Sequence, residues 1–416
     1  MILGFKMTRI HWVWIAGGYF SFFWIFIIHP SDQYIYSDMR IMLQTARNIT
    51  LGNFPSFDVH YPSGYPLLIA SVMGFFKNYF FWLKVLHGLF YIIAIVGFTL
   101  GARNLYGEKV AFWTACVLSV HFPLHSASGF LLAEVPFTAV LALAFYTIAM
   151  PMTALKLKRL IVCGFLLGIA FWIKGTGVLI APILSVWILC GDQDIIKTKC
   201  LKAGALLGGF VLPIILLHGF YSSFYHLDKW MPSNGATNWI EGKCPSKNNY
   251  DSTGVHFLSP INIQQGNKVK KVWDRPFSES SYYWREGWRC IEERPIVIVE
   301  SGMQVLYLFI QNVQWPDGNT RFSKWMTIWG GVTGWILLLL FSLSCLVALC
   351  GDRSVWSYAT IIPIIALFMC VWIIKAEIRY RIPFDGFLII ISIVLAERLW
   401  GAEKSKRIRG RLFFSK

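Results

Sequence analysis

The chain has 416 residues; 56% are hydrophobic, 17% aromatic and only 14% charged, against about 25% charged residues in an ordinary soluble protein. Apolar runs near the roughly 20 residues that cross a bilayer recur from end to end, which excludes soluble enzymes, secreted disulfide scaffolds and disordered regulators. The net charge of +16 lies in short connections rather than in a stripe interleaved with stacking aromatics, so it argues for cytoplasmic loops facing anionic lipid and against nucleic acid.

The first run, His11 to Ile28, follows Lys6 and Arg9 and has no small-residue cleavage site. It reads as a retained first helix with a cytoplasmic N-terminus. A polar stretch then begins at Ser31 and forms a first outer loop over residues 30–80. Within it Met39, Met42, Leu43, Ala46 and Ile49 recur at helical spacing, with Arg40, Gln44, Arg47 and Asn48 opposite, which predicts an amphipathic helix lying on the membrane surface. Asp38 stands at its start and has two readings: a cap for the first turn, or a carboxylate held at the surface as a general base.

The segment His60-Tyr61-Pro62-Ser63-Gly64-Tyr65-Pro66 is a rigid turn, and the apolar piece Tyr65–Phe76 after it is too short to cross. Were it to cross, Arg103 and Lys109 would lie outside and every later basic loop would invert, so it stays on the outer side. Crossings are then expected at Phe81–Leu100, Ala111–Leu124, Leu131–Met150, Leu160–Ile173, Val178–Cys190 and Ala203–Tyr221. Glu134 falls at the outer end of one of these, where an ionisable group is either a functional residue or one that simply reaches water. Lys174-Gly175-Thr176-Gly177 is a tight outer turn between two more.

Residues 1–221 thus read as an N-terminal transmembrane module and 222–325 as a large outer loop holding an interfacial helix at Ile296–Asn312. Residues 326–400 read as C-terminal helices, at Met326–Cys350, Trp356–Ile374 and Phe384–Ala396, and 401–416 as a basic cytoplasmic tail. The parity of basic loops gives about ten crossings with both termini inside. Of nine cysteines only Cys244 and Cys290 lie in the large outer loop, where an oxidising compartment would allow a disulfide. No C-x-x-C or H-E-x-x-H spacing marks a dedicated metal site. Glu377-Ile378-Arg379-Tyr380-Arg381-Ile382-Pro383 places guanidinium groups on the outer side, against the positive-inside trend; they bind either a phosphate or lipid headgroups. In the large loop, Asn234, Asn238, Trp284 and Arg285 suit sugar or acceptor recognition, or membrane-belt contacts.

Taken in order and on one face, these motifs resemble the GT-C membrane glycosyltransferases, specifically the family 39-like group of protein O-mannosyltransferases and aminoarabinose transferase-like enzymes. Asp38, Ala46 and Gly52 match the family's first-loop carboxylate and its spacing, with Met42 in place of a frequent aromatic. Pro62-Ser63-Gly64-Tyr65-Pro66 looks like the proline-glycine-tyrosine-proline lead-in to the next helix. Glu134 with Pro136 resembles the second outer carboxylate, Lys174–Gly177 the basic-x-Thr-Gly turn, and Glu377, Arg379, Tyr380 and Pro383 the C-terminal E-x-R-Y-x-x-P element.

The resemblance implies an all-α GT-C-like bundle with amphipathic juxtamembrane helices on the outer face. It implies transfer of a sugar from a polyprenyl phosphate to an acceptor hydroxyl of a lipid, glycan or protein, with inversion. Asp38 would be the general base, Glu134 would orient the sugar or acceptor, and Arg379, Arg381 and Lys174 would meet the donor phosphate. His60 and Tyr61 stand where relatives carry a cation near that phosphate. No cofactor is certain; a divalent metal, used by some relatives, would fall to Asp38, His60 and Glu134. A bacterial inner membrane with an outward-facing site is expected. The competing class is a transporter or flippase of a lipid-linked substrate, which would place charges near mid-membrane.

Overall fold

In a computed structural model, the structure describes residues 8–32, 37–52, 62–191, 195–225, 234–244, 250–251, 254–255, 264–265, 268–269, 280–310, 321–350, 356–374 and 377–413. The chain opens with α1 (Arg9–Phe23), whose last turn widens into a π turn over Trp24–Ile28. On the outer face follow α2 (Ser37–Thr50) and α3 (Gly64–Phe75). The bundle proper continues with α4 (Tyr79–Tyr106), α5 (Glu108–Ser119), α6 (Phe122–Gly129), α7 (Glu134–Ile148), α8 (Leu157–Ile173), α9 (Ile180–Cys190) and α10 (Ile196–Tyr225). The large outer segment holds α11 (Asn234–Lys243), two short two-residue strand pairs and α12 (Ser280–Glu293). The rest is α13 (Val297–Ile310), α14 (Arg321–Leu349), α15 (Tyr358–Ile373), the single turn α16 (Ile378–Arg381) and α17 (Asp385–Phe413).

Apolar composition makes these helices and packing orders them. The central layer runs α1–α4–α7–α8–α10, each against the next. On α4, a Cβ at Gly97 would stand 2.9 Å from the Ala142 carbonyl carbon of α7, so only glycine lets these two backbones approach so closely. The C-terminal helix α17 packs on α4, α5 and α14, and Phe387 meets Phe98 and Phe145 edge-on at 5.0 and 5.2 Å between ring centres. That contact joins α4 and α7 to the C-terminal helix.

Four helices among the described residues are long and apolar enough to cross a membrane: Arg9–Ile28, Tyr79–Tyr106, Ile196–Gly219 and Ile328–Leu349. Glu108–Ser119 with Phe122–Gly129 makes a fifth if the pair, bent by 44°, is one span. The sequence reading gives Ala111–Leu124 as one run; Pro123 in the first turn of α6 instead restarts the helix after His121. Shorter apolar helices, including Glu134–Ile148 and Tyr358–Ile373, lie inside the bundle. Large apolar side chains such as Tyr19, Ile27, Leu216, Leu339 and Leu346 face outward. A surface of this kind is stable against lipid and not against water. The chain is an all-helical integral membrane protein, its short strand pairs apart.

Candidate active site

The first wall of the site is α2. Its apolar stripe Met39, Met42 and Ala46 is buried in one cluster with Tyr65, Ile69 and Ala70 of α3, Leu83 of α4, and Leu131 and Ala133 of the connection between α6 and α7. Burying that stripe turns Asp38, in the first turn, toward the C-terminal part of the chain. There its carboxylate accepts a hydrogen bond from Arg379 Nη1. The two residues are 341 positions apart, so this pairing exists only in the folded bundle.

Arg379 lies on α16, and its Nε faces Glu377 immediately before that turn. Burial works against the guanidinium charge, but the carboxylates of Glu377, Asp38 and Glu134 outweigh it and hold Arg379 well above the usual arginine range. Glu134 forms the second wall as the first residue of α7, where a helix N-terminus favours an anion. Lys174 projects from the end of α8 and donates to the Glu134 carboxylate. Its ammonium also stands 5.1 Å from the centre of the Tyr380 ring. Asp38, Glu134, Lys174, Glu377, Arg379 and Tyr380 therefore form one cluster at the junction of α2, α7, α8 and α16.

Arg381, read from the sequence as a phosphate ligand, does not join them. It is fully buried, with Nε 2.9 Å from Asp385 Oδ1 one helical turn on and Nη1 donating to the Leu308 carbonyl at 3.0 Å. Asp385 in turn meets His121 Nε2 at 2.9 Å. On a single-turn helix, residues two apart point to opposite sides, so only one of the two arginines can face the carboxylates. Arg381 anchors α16 to the bundle and Arg379 faces the site. His60 and Tyr61 lie outside the described residues.

The residues assigned to the acceptor lie on a separate hairpin of α11 and α12. Its inner face is Ala236, Ile240, Cys244 and Tyr283, and Cys244 and Cys290 form a disulfide across it with Cα atoms 5.4 Å apart. Asn234 opens α11, Asn238 is half-buried, and Trp284 and Arg285 are exposed on α12. Trp284 packs tilted against Trp239 at 5.1 Å between ring centres, not on the carboxylate cluster. The hairpin is tied to the bundle by Lys243 Nζ, which donates to Ser301 Oγ of α13 at 2.8 Å and to the Trp372 carbonyl of α15 at 2.5 Å. Trp372 is five residues before Glu377, so the hairpin is fixed beside the segment that carries Arg379.

The sequence reading quotes Tyr65 within a motif but gives it no role, and passes over His87. Tyr65 donates to the Leu131 carbonyl and meets His87 Nε2 at 2.8 Å. Tyr65 belongs to a quoted motif, whereas a lone histidine in an apolar helix carries no spacing signal. Among the described residues no group of three His, Cys, Asp or Glu side chains is placed to hold a metal, and Asp38 and Glu134 each face a cationic side chain instead. His60, the third member of the trio a divalent metal would use, lies outside the described residues, and no step below passes through a metal.

Residues 60–217 match the family model described as dolichyl-phosphate-mannose-protein mannosyltransferase. No curated protein sequence matches the chain. The archaeal oligosaccharyltransferase AglB from Archaeoglobus fulgidus, solved with an inhibitory peptide and a dolichol-phosphate, shares the fold at a TM-score of 0.56 and 16% identity, over 98% of this chain and 52% of its own. The same enzyme tethered to an acceptor peptide with the NVT sequon aligns at 0.54 and 14%, over 96% of this chain and 50% of its own. ArnT from Cupriavidus metallidurans bound to undecaprenyl phosphate aligns at 0.41 and 12%, over 94% of this chain and 79% of its own. The chain thus spans about half the length of the oligosaccharyltransferases it matches.

Proposed function

We propose that this chain, which matches a mannosyltransferase family model over residues 60–217 and shares its fold with an oligosaccharyltransferase, is a GT-C glycosyltransferase that moves a sugar from a polyprenyl-phosphate carrier to an acceptor hydroxyl. The observation that carries the reading is the pairing of two carboxylates with two cations at one helix junction, Asp38 with Arg379 and Glu134 with Lys174. Acid–base work at a hydroxyl needs the first kind of group, and a departing phosphate needs the second.

The acceptor oxygen attacks the anomeric carbon as the bond from that carbon to the phosphate oxygen breaks. The acceptor proton goes to Asp38, and the electron pair of the broken bond leaves on polyprenyl phosphate. A single displacement of this kind inverts the anomeric centre. Arg379 and Lys174 balance the charge that develops on the leaving phosphate. The phosphodiester of the loaded donor already carries a negative charge that draws Arg379 toward itself, so Asp38 is released from its ion pair before the acceptor proton moves. Glu134, held at the N-terminus of α7, keeps Lys174 in place and orients a sugar or acceptor hydroxyl. The acceptor approaches from the α11–α12 side. The site faces outward, with both termini cytoplasmic, in a bacterial inner membrane.

The test is release of free polyprenyl phosphate by the purified chain from a panel of polyprenyl-phosphate sugars, with crude membrane acceptors present and Glu134→Gln run alongside. Turnover with inversion at the product's anomeric carbon, and a loss of about a hundredfold in Glu134→Gln, is expected. A product of retained configuration overturns the single displacement. Turnover that Glu134→Gln leaves unchanged removes the Glu134–Lys174 pair from the reaction.

A further inference from the structure

The connection between α6 and α7 is sharp. Leu131 holds φ at +47°, a left-handed conformation that a γ-branched residue adopts only under constraint, and no other non-glycine described residue has a positive φ. Glu134 begins α7 three residues later. Whatever holds Leu131 in place therefore aims the Glu134 carboxylate.

Leu131 is held through its carbonyl, which accepts the hydroxyl hydrogen of Tyr65. Tyr65 is fully buried and its oxygen also lies 2.8 Å from His87 Nε2. A phenol has one proton, and here it points to Leu131. His87 must therefore present Nε2–H as the donor, which leaves its Nδ1 as the acceptor; that buried atom has no hydrogen-bond partner among the described residues. The line runs from α4 through α3 to the strained turn. Tyr65 is also packed in the apolar cluster that seats α2 through Met39 and Met42, so one side chain touches the supports of both carboxylates.

The geometry points to Tyr65 as a positioning residue: donated to by His87, it fixes the Leu131 turn and thereby the Glu134 carboxylate against Lys174. This rests on the transferase reading for its effect on rate, but not for its effect on the turn. The molecule contains its own comparison. Tyr91, on α4, donates to the Leu118 carbonyl at 2.6 Å and meets His125 Nε2 at 2.8 Å, a similar buried phenol–imidazole–carbonyl arrangement in which His125 Nε2 also reaches the Ser119 carbonyl at 2.9 Å.

The experiment compares Tyr65→Phe with Tyr91→Phe, each a loss of one hydroxyl from a buried ring. Backbone hydrogen exchange of residues 130–136 is read first, on the full chain in detergent without substrate. Tyr65→Phe is expected to speed it about tenfold, and Tyr91→Phe to leave that segment as in wild type. Turnover follows, in a cycle with Glu134→Gln. Tyr65→Phe is expected to lower kcat about tenfold with the donor KM unchanged, and to add nothing on the Glu134→Gln background, because it acts through that residue. Unchanged exchange at 130–136 overturns the positioning role. So does a kcat loss that multiplies with that of Glu134→Gln, which would make Tyr65 a support of general stability. If wild type turns over no donor while Tyr65→Phe still loosens 130–136, the transferase reading fails and the control of the turn by Tyr65 stands.

Discussion

Replacing Arg381 by Met is expected to destabilise the protein and to leave its donor affinity alone. Arg381 and Asp385 are 0% and 1% exposed, so their charges have no water to fall back on. Removing one partner of such a pair costs about 3–5 kcal/mol, because the other is left as an unpaired buried charge. The bond to the Leu308 carbonyl and the position over the Phe309 ring, 5.5 Å away, are lost as well. His121 remains 2.9 Å from Asp385 and can partly compensate it, which brings the expected cost to the lower end, about 3 kcal/mol. In a detergent melt this is a fall of roughly 5 °C in the apparent unfolding temperature. The double variant Arg381→Met/Asp385→Asn has no orphaned charge and still accepts from His121, so about half of that fall should be recovered. If the single variant melts with wild type, or the double melts below it, Arg381 is not a structural anchor. A selective rise in donor KM with unchanged melting would return it to the phosphate.

Gly64→Ala should loosen α3 against α8, since the new Cβ would stand 2.7 Å from the Trp172 carbonyl oxygen; the expected cost is about 1–3 kcal/mol, read by thermal melting, and an unchanged melt would show that the two backbones can separate freely. Burial lowers Lys243 to about 8, so between roughly pH 8 and 10 the folded chain binds fewer protons than the unfolded one, and stability should rise with pH through that window. Lys243→Met should remove that rise from the melting curves; a wild-type curve already flat there would contradict the assignment.

The helices of the bundle were legible as apolar runs, and α2 because its stripe repeats at helical spacing; α11 and α12, polar on average, carry no such run and were not foreseen. Asp38, Glu134 and Lys174 could be placed at helix ends from the same runs. Their partners could not. Asp38 meets Arg379 only because α17 packs back onto α4 and α5, a tertiary contact that no local pattern encodes. Arg379 and Arg381 look equivalent in sequence, yet one faces the carboxylates and the other the bundle interior. A clue was present: Arg381 and Asp385 are four apart, the spacing at which a helical ion pair forms. The break at His121 was signalled by Pro123 and masked by the apolar residues around it. The turn at Leu131 carries no signal, since a leucine with positive φ is imposed by its surroundings.

The central claim is that Asp38 takes the acceptor proton, and the most direct test is Asp38→Asn. The variant keeps the shape of the side chain and removes its basicity. Release of polyprenyl phosphate from a turned-over donor should fall by about a thousandfold or more at equal folded protein, with donor binding retained. If Asp38→Asn releases it at the wild-type rate, Asp38 serves only to begin α2 and to hold Arg379, and the base lies elsewhere.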